Sequence, residues 1–306
     1  MSFGNTADQS ILDAANKVFR AIFLDQLDQE GDGELVSLGT MTTRSKAKTV
    51  EYDWLMDFAQ MDEWVGERDI ASFKARNYSV PNVKYQGALS VDRVDVESDE
   101  LGLYEARFRA LPNAHFRKRR SLLADLLLNG DAAGSLGYDG VPFFSQAHPD
   151  EDGSGTQSNL ADATTPLTKD NFDAAAQQMA ELVNQKGEPL DVLPSVIVVG
   201  PANYSTARDL FEIATLSGGG ENPTFQAVRV VREPYITDNS WYLLDTNQVL
   251  RPFILQEADD LELQTLTSID DEYVIMNDAF FYGLRARYAL AYGFWQLAFK
   301  ADGNTS

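Results

Sequence analysis

The sequence predicts an α+β protein whose compact body carries extended segments that need a partner. Three observations lead there. A one-faced amphipathic helix opens the chain, and a strand-rich stretch poor in core residues follows it. An alternating helix and strand pattern begins only after residue 166. A chain of 306 residues, 44% of them hydrophobic, buries one large core or two modest ones.

Ile11, Ala15, Val18, Phe19, Ile22, Phe23 and Leu27 recur at three- and four-residue intervals, which defines a helix over residues 7–27. Its apolar stripe must be covered by the body or by a neighbour. The helix gives way to the polar run Asp28-Gln29-Glu30-Gly31-Asp32-Gly33. Residues 49–54 and 84–91 alternate as strands, with Trp64-Val65-Gly66-Glu67-Arg68 between them. A two-stranded excursion of this kind is rarely stable alone, so it is expected to lie across another subunit.

Residues 98–129 form a long helical pattern, with Ser98 as cap and Asp99 and Glu100 in the first turn, where the helix dipole favours them. Leu101, Tyr104, Phe108, Leu111, Phe116, Leu123 and Leu127 are its stripe. Pro112 predicts a kink or an interruption, and Gly130 a stop. Residues 131–166, rich in Gly, Asp, Ser and Thr, read as irregular.

Beyond them, residues 168–186 place Phe172, Ala176, Met179 and Val183 on one helix face. Ser195-Val196-Ile197-Val198-Val199 is a continuous apolar run, as in a strand covered on both faces. Gly200-Pro201 ends it, a second helix spans 202–214, and Gly218-Gly219-Gly220 is a loop. Strands are expected at 227–231, 241–244 and 250–255. Further strands at 261–266, 273–276 and within 281–299 return the chain to its first core.

Composition excludes several functions. There are no cysteines, which removes disulfides, thiolate nucleophiles and cysteine metal sites. The two histidines, His115 and His148, lie in different segments, so a His-rich metal site is excluded. Neither a secretory signal nor an eighteen-residue apolar run is found, which predicts a soluble protein made in a cytoplasm. The formal charge of −22, from 47 acidic and 25 basic residues, argues against phosphate-backbone binding. An acidic inner wall would nonetheless suit a container for DNA.

The motifs that suggest chemistry are incomplete. Asp28 to Gly33 begins like a calcium loop, but the twelfth position, which should be a bidentate glutamate, is Gly39. Arg107, Arg109, Arg117, Lys118, Arg119 and Arg120 form the dense basic patch of an acidic chain. It is read as a helix side that meets carboxylates of its own or a neighbouring subunit, ahead of a DNA-contacting face. Ser145 lies near His148 but lacks the context of a strained nucleophile elbow. The glycine run at 218–220 has no P-loop lysine after it. No catalytic residue, cofactor site or metal site is predicted.

Several short runs carry a resemblance. Tyr52-Asp53-Trp54-Leu55, Glu63-Trp64-Val65-Gly66-Glu67-Arg68, Tyr138-Asp139-Gly140 with Phe143-Phe144 and His148-Pro149, Trp241-Tyr242-Leu243-Leu244-Asp245, Arg251-Pro252-Phe253-Ile254-Leu255-Gln256-Glu257 and Tyr292-Gly293-Phe294-Trp295-Gln296 follow in order along most of the chain. Together they resemble the major head subunit of Mu-like phages and prophages, within the wider class of shell proteins of the Hong Kong 97 fold.

The resemblance implies an N-terminal arm (1–34), an extended loop (35–97), a peripheral domain with a long spine helix (98–150 and 251–306) and an axial domain (151–250). It implies hexamers and pentamers of an icosahedral head around double-stranded DNA, in the virion after assembly in a bacterial cytoplasm. A separate scaffolding protein, a portal protein, and candidate maturation protease and decoration proteins are the partners it implies, since 34 residues leave no room for a fused scaffolding domain. Lysine–asparagine crosslinking, for which Lys46, Lys48 and Lys74 lie in the right region, is not predicted. Inter-subunit contacts are expected at Phe19, Phe23, Trp54, Trp64, Arg68, Arg117, Arg119 and Arg120, because buried tryptophan and arginine anchor interfaces. The competing readings are an encapsulin-like compartment shell and an acidic calcium-dependent hydrolase.

Overall fold

The computed structural model describes residues 5–52, 78–97, 102–150, 155–162, 164–184, 187–215 and 218–303. Helix α1 (Asn5–Gln29) leads through a short α2 (Glu34–Gly39) into strand β1 (Thr40–Arg44). Strands β2 (Thr49–Glu51) and β3 (Ser79–Pro81) form an antiparallel ladder with Thr49 opposite Pro81. Strand β4 (Val83–Asp92) follows, then α3 (Arg93–Glu97) and the 27-residue α4 (Gly102–Leu128).

Irregular chain containing the two-residue pair β5 (His148–Pro149) and β6 (Thr156–Gln157) connects to α5 (Lys169–Ala180). Next come β7 (Val196–Val199), α6 (Tyr204–Phe211), β8 (Arg229–Arg232) and β9 (Trp241–Leu244). The chain returns through β10 (Phe253–Leu266), α7 (Glu272–Asn277), β11 (Ala279–Tyr292), a 3₁₀ turn at Trp295–Leu297 and β12 (Ala298–Ala301).

Two four-stranded sheets result. The first has the order β1-β10-β11-β4, with β1 parallel to β10 and the other pairs antiparallel. The second has the order β12-β9-β7-β8. Every residue of β7 and β9 is buried, which is why both read as continuous apolar runs. One core joins both sheets through Leu244, Phe253, Phe143 and Phe144 to Leu123 and Leu127 of α4. A smaller core holds Phe19 of α1, Phe108 of α4, and Val91, Val274, Phe280 and Tyr282.

Pro112 neither stops α4 nor splits it. Phe108 on its N-terminal side is fixed in the small core, and Leu123 on its C-terminal side in the large one. That packing offsets the hydrogen bond a proline removes. The expected cap at Ser98 lies outside the described residues. Helix α5 ends six residues before its expected limit because the Gln157 side chain takes the backbone of Val183. Its Oε1 accepts from Val183 N at 2.9 Å, and its Nε2 donates to Val183 O at 3.1 Å.

Residues 273–276 are helical where a strand was expected. Only Val274 of α7 is buried; Ile275 and Met276 are 68% and 77% exposed. Acidic residues bracket this turn, with Asp278 in the left-handed region at φ 48°, so local turn chemistry overrides the β-favouring side chains. Gly130, two residues beyond the end of α4, is a point of close approach: a Cβ there would lie 2.6 Å from Phe144 Cδ2 and 2.9 Å from the Leu126 carbonyl oxygen.

Candidate assembly surfaces

The residues expected at subunit contacts fall into three groups. Trp54, Trp64 and Arg68 lie outside the described residues. Phe19 and Phe23 of α1 are buried, at 1% and 2% exposure, inside their own chain. Phe19 stacks on Phe108 with ring centroids 4.0 Å apart, and Tyr282 meets both rings edge-on. The Tyr282 hydroxyl donates to Asn16 Oδ1. The arm helix is thereby held on α4 and β11.

The basic patch on α4 divides between inward and outward positions. Arg119 is 5% exposed and lies over the Tyr288 ring at 4.8 Å. Its Nη1 donates to Asp32 Oδ2 at 2.7 Å and its Nη2 to Glu257 Oε1 at 2.8 Å. One guanidinium thus joins the arm, the long helix and the first sheet. Burial pushes the Asp32 carboxyl above its ordinary value despite the pull of Arg119. Arg120 meets Glu233 through Nε at 3.3 Å, and burial again pushes that carboxyl up. Arg109 pairs with Glu105 at 2.9 Å and Asp25 at 3.6 Å. Arg107, Arg117 and Lys118 face solvent.

Asp32, the fifth residue of the calcium-like run, is therefore engaged by Arg119. Among the described residues no group of three or more histidines and carboxylates is arranged to hold a metal ion, and no helix is long and apolar enough to cross a membrane.

The Ser145–His148 neighbourhood is built differently from a catalytic pair. His148 is fully buried and stacks on Trp295, with ring centroids 3.8 Å apart and planes 3° apart. Its Nδ1 meets Asp139 Oδ2 at 2.5 Å and its Nε2 meets Asn159 Oδ1 at 3.1 Å. Asn159 also donates to the carbonyls of Phe143 and Trp295 at 2.8 and 3.1 Å. The Ser145 hydroxyl instead accepts from Ala147 N at 3.1 Å. Both ring nitrogens are occupied by protein groups, so the imidazole staples the irregular segment to the C-terminal return.

Two anchors had no local signal in the sequence. The Tyr52 hydroxyl donates to Gln256 Oε1 at 2.8 Å and shares a 2.7 Å hydrogen bond with Thr43, while Gln256 Nε2 donates to Val80 O at 3.3 Å. This network fixes the root of the β2–β3 ladder to the first sheet. Lys300, 5% exposed, donates to the Leu128 carbonyl at 2.8 Å and pairs with Asp131 at 2.9 Å. It satisfies the carbonyl end of α4, where a cation is favoured.

A long helix laid on a mixed sheet and a second sheet sharing its core place the chain in the Hong Kong 97 fold class. The chain belongs to the family described as the Mu-like prophage major head subunit gpT, whose model matches residues 12–166, 160–236 and 237–305. It is similar to the major capsid protein of Escherichia phage Mu, at 27% identity over 264 residues and 86% of this chain. It is also similar to the Mu-like prophage FluMu major head subunit of Haemophilus influenzae, at 25% identity over 88% of this chain. This chain spans 65% of the length of each of those relatives. Among solved structures it resembles the procapsid of bacteriophage JBD30, with a TM-score of 0.63 at 25% identity over 97% of this chain and 76% of that one.

Proposed function

We propose that this chain is a major capsid subunit that self-assembles into the hexamers and pentamers of an icosahedral phage head enclosing double-stranded DNA. The family match along nearly the whole chain carries this reading. The similarity to a procapsid subunit over 97% of the chain supports it. Its place is the virion, after assembly in the host cytoplasm, and its role is structural, not enzymatic.

In this reading residues 1–34 are the arm, 35–97 the extended loop, 98–150 with 251–306 the peripheral domain and 151–250 the axial domain. Trp54, Trp64, Arg68 and Arg117 make direct contact with neighbours. Phe19 and Phe23, which are buried in their own chain, and Arg119 and Arg120, which are paired in it, contribute by presenting the arm and spine helix in a fixed geometry. A separate scaffolding protein sets the curvature, a portal protein occupies one vertex, and a maturation protease and decoration proteins act on the finished shell. The net charge of −22 keeps the wall from adhering to packaged DNA.

Sedimentation velocity of the protein co-produced with its candidate scaffold tests this. Particles of shell size, with hexamers or pentamers as intermediates, are expected. A monomer at every concentration, scaffold included, would contradict it.

A further inference from the structure

We propose that the cavity between α4 and the first sheet binds a small planar aromatic acid, with a polar substituent at His115 and its carboxylate at Lys118. The inference concerns a single chain, so it goes beyond the shell reading and does not depend on it.

The cavity encloses about 300 Å³, at the lower end of the range of small-molecule pockets. β4 contributes Tyr85, β10 Leu261, and β11 Leu284 and Tyr288, while His115 and Lys118 of α4 form the opposite side. Gly87, Ala114 and Ala286 also line it, and their small size leaves the room. Tyr85 stacks on Tyr288 with ring centroids 4.4 Å apart, and His115 meets Tyr288 edge-on at 5.2 Å. A wall of ring faces and edges favours a planar aromatic partner over an aliphatic chain.

His115 points to a ligand independently. It is 8% exposed, lines the cavity and makes no hydrogen bond among the described residues. Buried polar groups are ordinarily satisfied, and the cavity is the side from which a partner can reach this one. Burial, with the Arg119 charge adding to it, holds the imidazole down to about 4. At neutral pH the ring is therefore uncharged and offers one donor and one acceptor, which suits a hydroxyl better than an ion.

Lys118 selects the charge. It is exposed at the mouth and has no carboxylate partner among the described residues. The carboxylates of β10 on either side of Leu261 are already paired: Asp259 with Arg287 and Arg285, Glu262 with Arg285, and Asp260 with Arg44. An anion arriving at the mouth thus meets an unmatched cation.

The test uses the full chain and 6-hydroxy-2-naphthoate as probe. Equilibrium dialysis is expected to give one site with a Kd of about 0.1–1 mM. The uncharged 6-hydroxy-2-naphthamide should bind about three- to fivefold more weakly, the effect of an exposed ion pair. Lys118→Met is expected to bring the two probes to the same affinity. Ala114→Phe, at an exposed helix position that tolerates the larger ring, should weaken both at least about tenfold by filling the mouth. Nuclear magnetic resonance of histidine-labelled protein locates the site, because the chain has two histidines. The ring signals of His115 should move saturably, while those of His148, fully buried with both nitrogens occupied, stay in place. No saturable binding below about 10 mM, equal shifts at both histidines, or affinity unchanged by Ala114→Phe overturns the assignment. None of these outcomes bears on shell formation, which sedimentation reads separately.

Discussion

Arg119 and Glu257, 138 residues apart in sequence, meet through a 2.8 Å hydrogen bond that closes the first sheet onto the spine helix. The same guanidinium holds Asp32 at 2.7 Å, so removing it leaves two partly buried carboxylates facing each other. Breaking a buried pair from one side costs about 3–5 kcal/mol. Arg119→Ala is expected to lose stability on that scale in thermal or denaturant unfolding. Arg119→Lys should recover only part of it, because one ammonium cannot reproduce the two-armed geometry. Arg117→Ala, on the exposed side of the same helix, should leave stability within about 0.5 kcal/mol.

The small core depends on one stacked pair. Truncating Phe108 to Ala removes the ring that Phe19 and Tyr282 both touch, at an expected cost of about 3–5 kcal/mol. The loss should be local first. Amide exchange in α1 is expected to accelerate before exchange in β7 or β9, since those strands belong to the other core. Uniform acceleration would show that the two cores unfold as one.

Acid should weaken the subunit through His115. Burial, with the Arg119 charge adding to it, holds this imidazole down to about 4. The unfolded chain takes up a proton near 6.5, and the folded chain only near 4. The unfolded state therefore binds more protons across that window, so the His115 contribution is fully present above 6.5 and is lost as the pH falls toward 4. The slope is about 1.4 kcal/mol per pH unit at most. Unfolding of His115→Gln between pH 4 and 6.5 should be correspondingly flatter than that of the parent chain.

Much of this architecture is legible in the sequence, and the failures have physical causes. The stripe containing Phe19 and Phe23 and the runs at 196–199 and 241–244 are periodic signals, and the structure realises them as a helix and two buried strands. The interruption offered as one outcome at Pro112 does not occur, because the cores on either side of it outweigh a local defect. Residues 273–276 mislead because β-favouring side chains are overruled by an acidic turn. The ties made by Arg119, His148 and Lys300 are invisible to any local pattern, since their partners come from distant segments of chain. Tyr138-Asp139-Gly140 and His148-Pro149 mark the staple by resemblance alone; nothing in their spacing announces that Asp139 and His148 touch.

Gly130 gives a check on the packing at the end of the spine helix. A methyl group there would collide with Phe144 and the Leu126 carbonyl, so Gly130→Ala is expected to cost about 1–3 kcal/mol. Gly134→Ala is the control, because nothing lies within 4 Å of its added Cβ. Equal melting temperatures for the two variants would show that Phe144 yields freely.

The most direct test of the central claim is electron microscopy of the protein purified after co-expression with its neighbouring genes. Closed icosahedral shells, or isolated hexamers and pentamers, are the predicted result. A monodisperse monomer that never assembles, with candidate scaffolds present, would contradict the account.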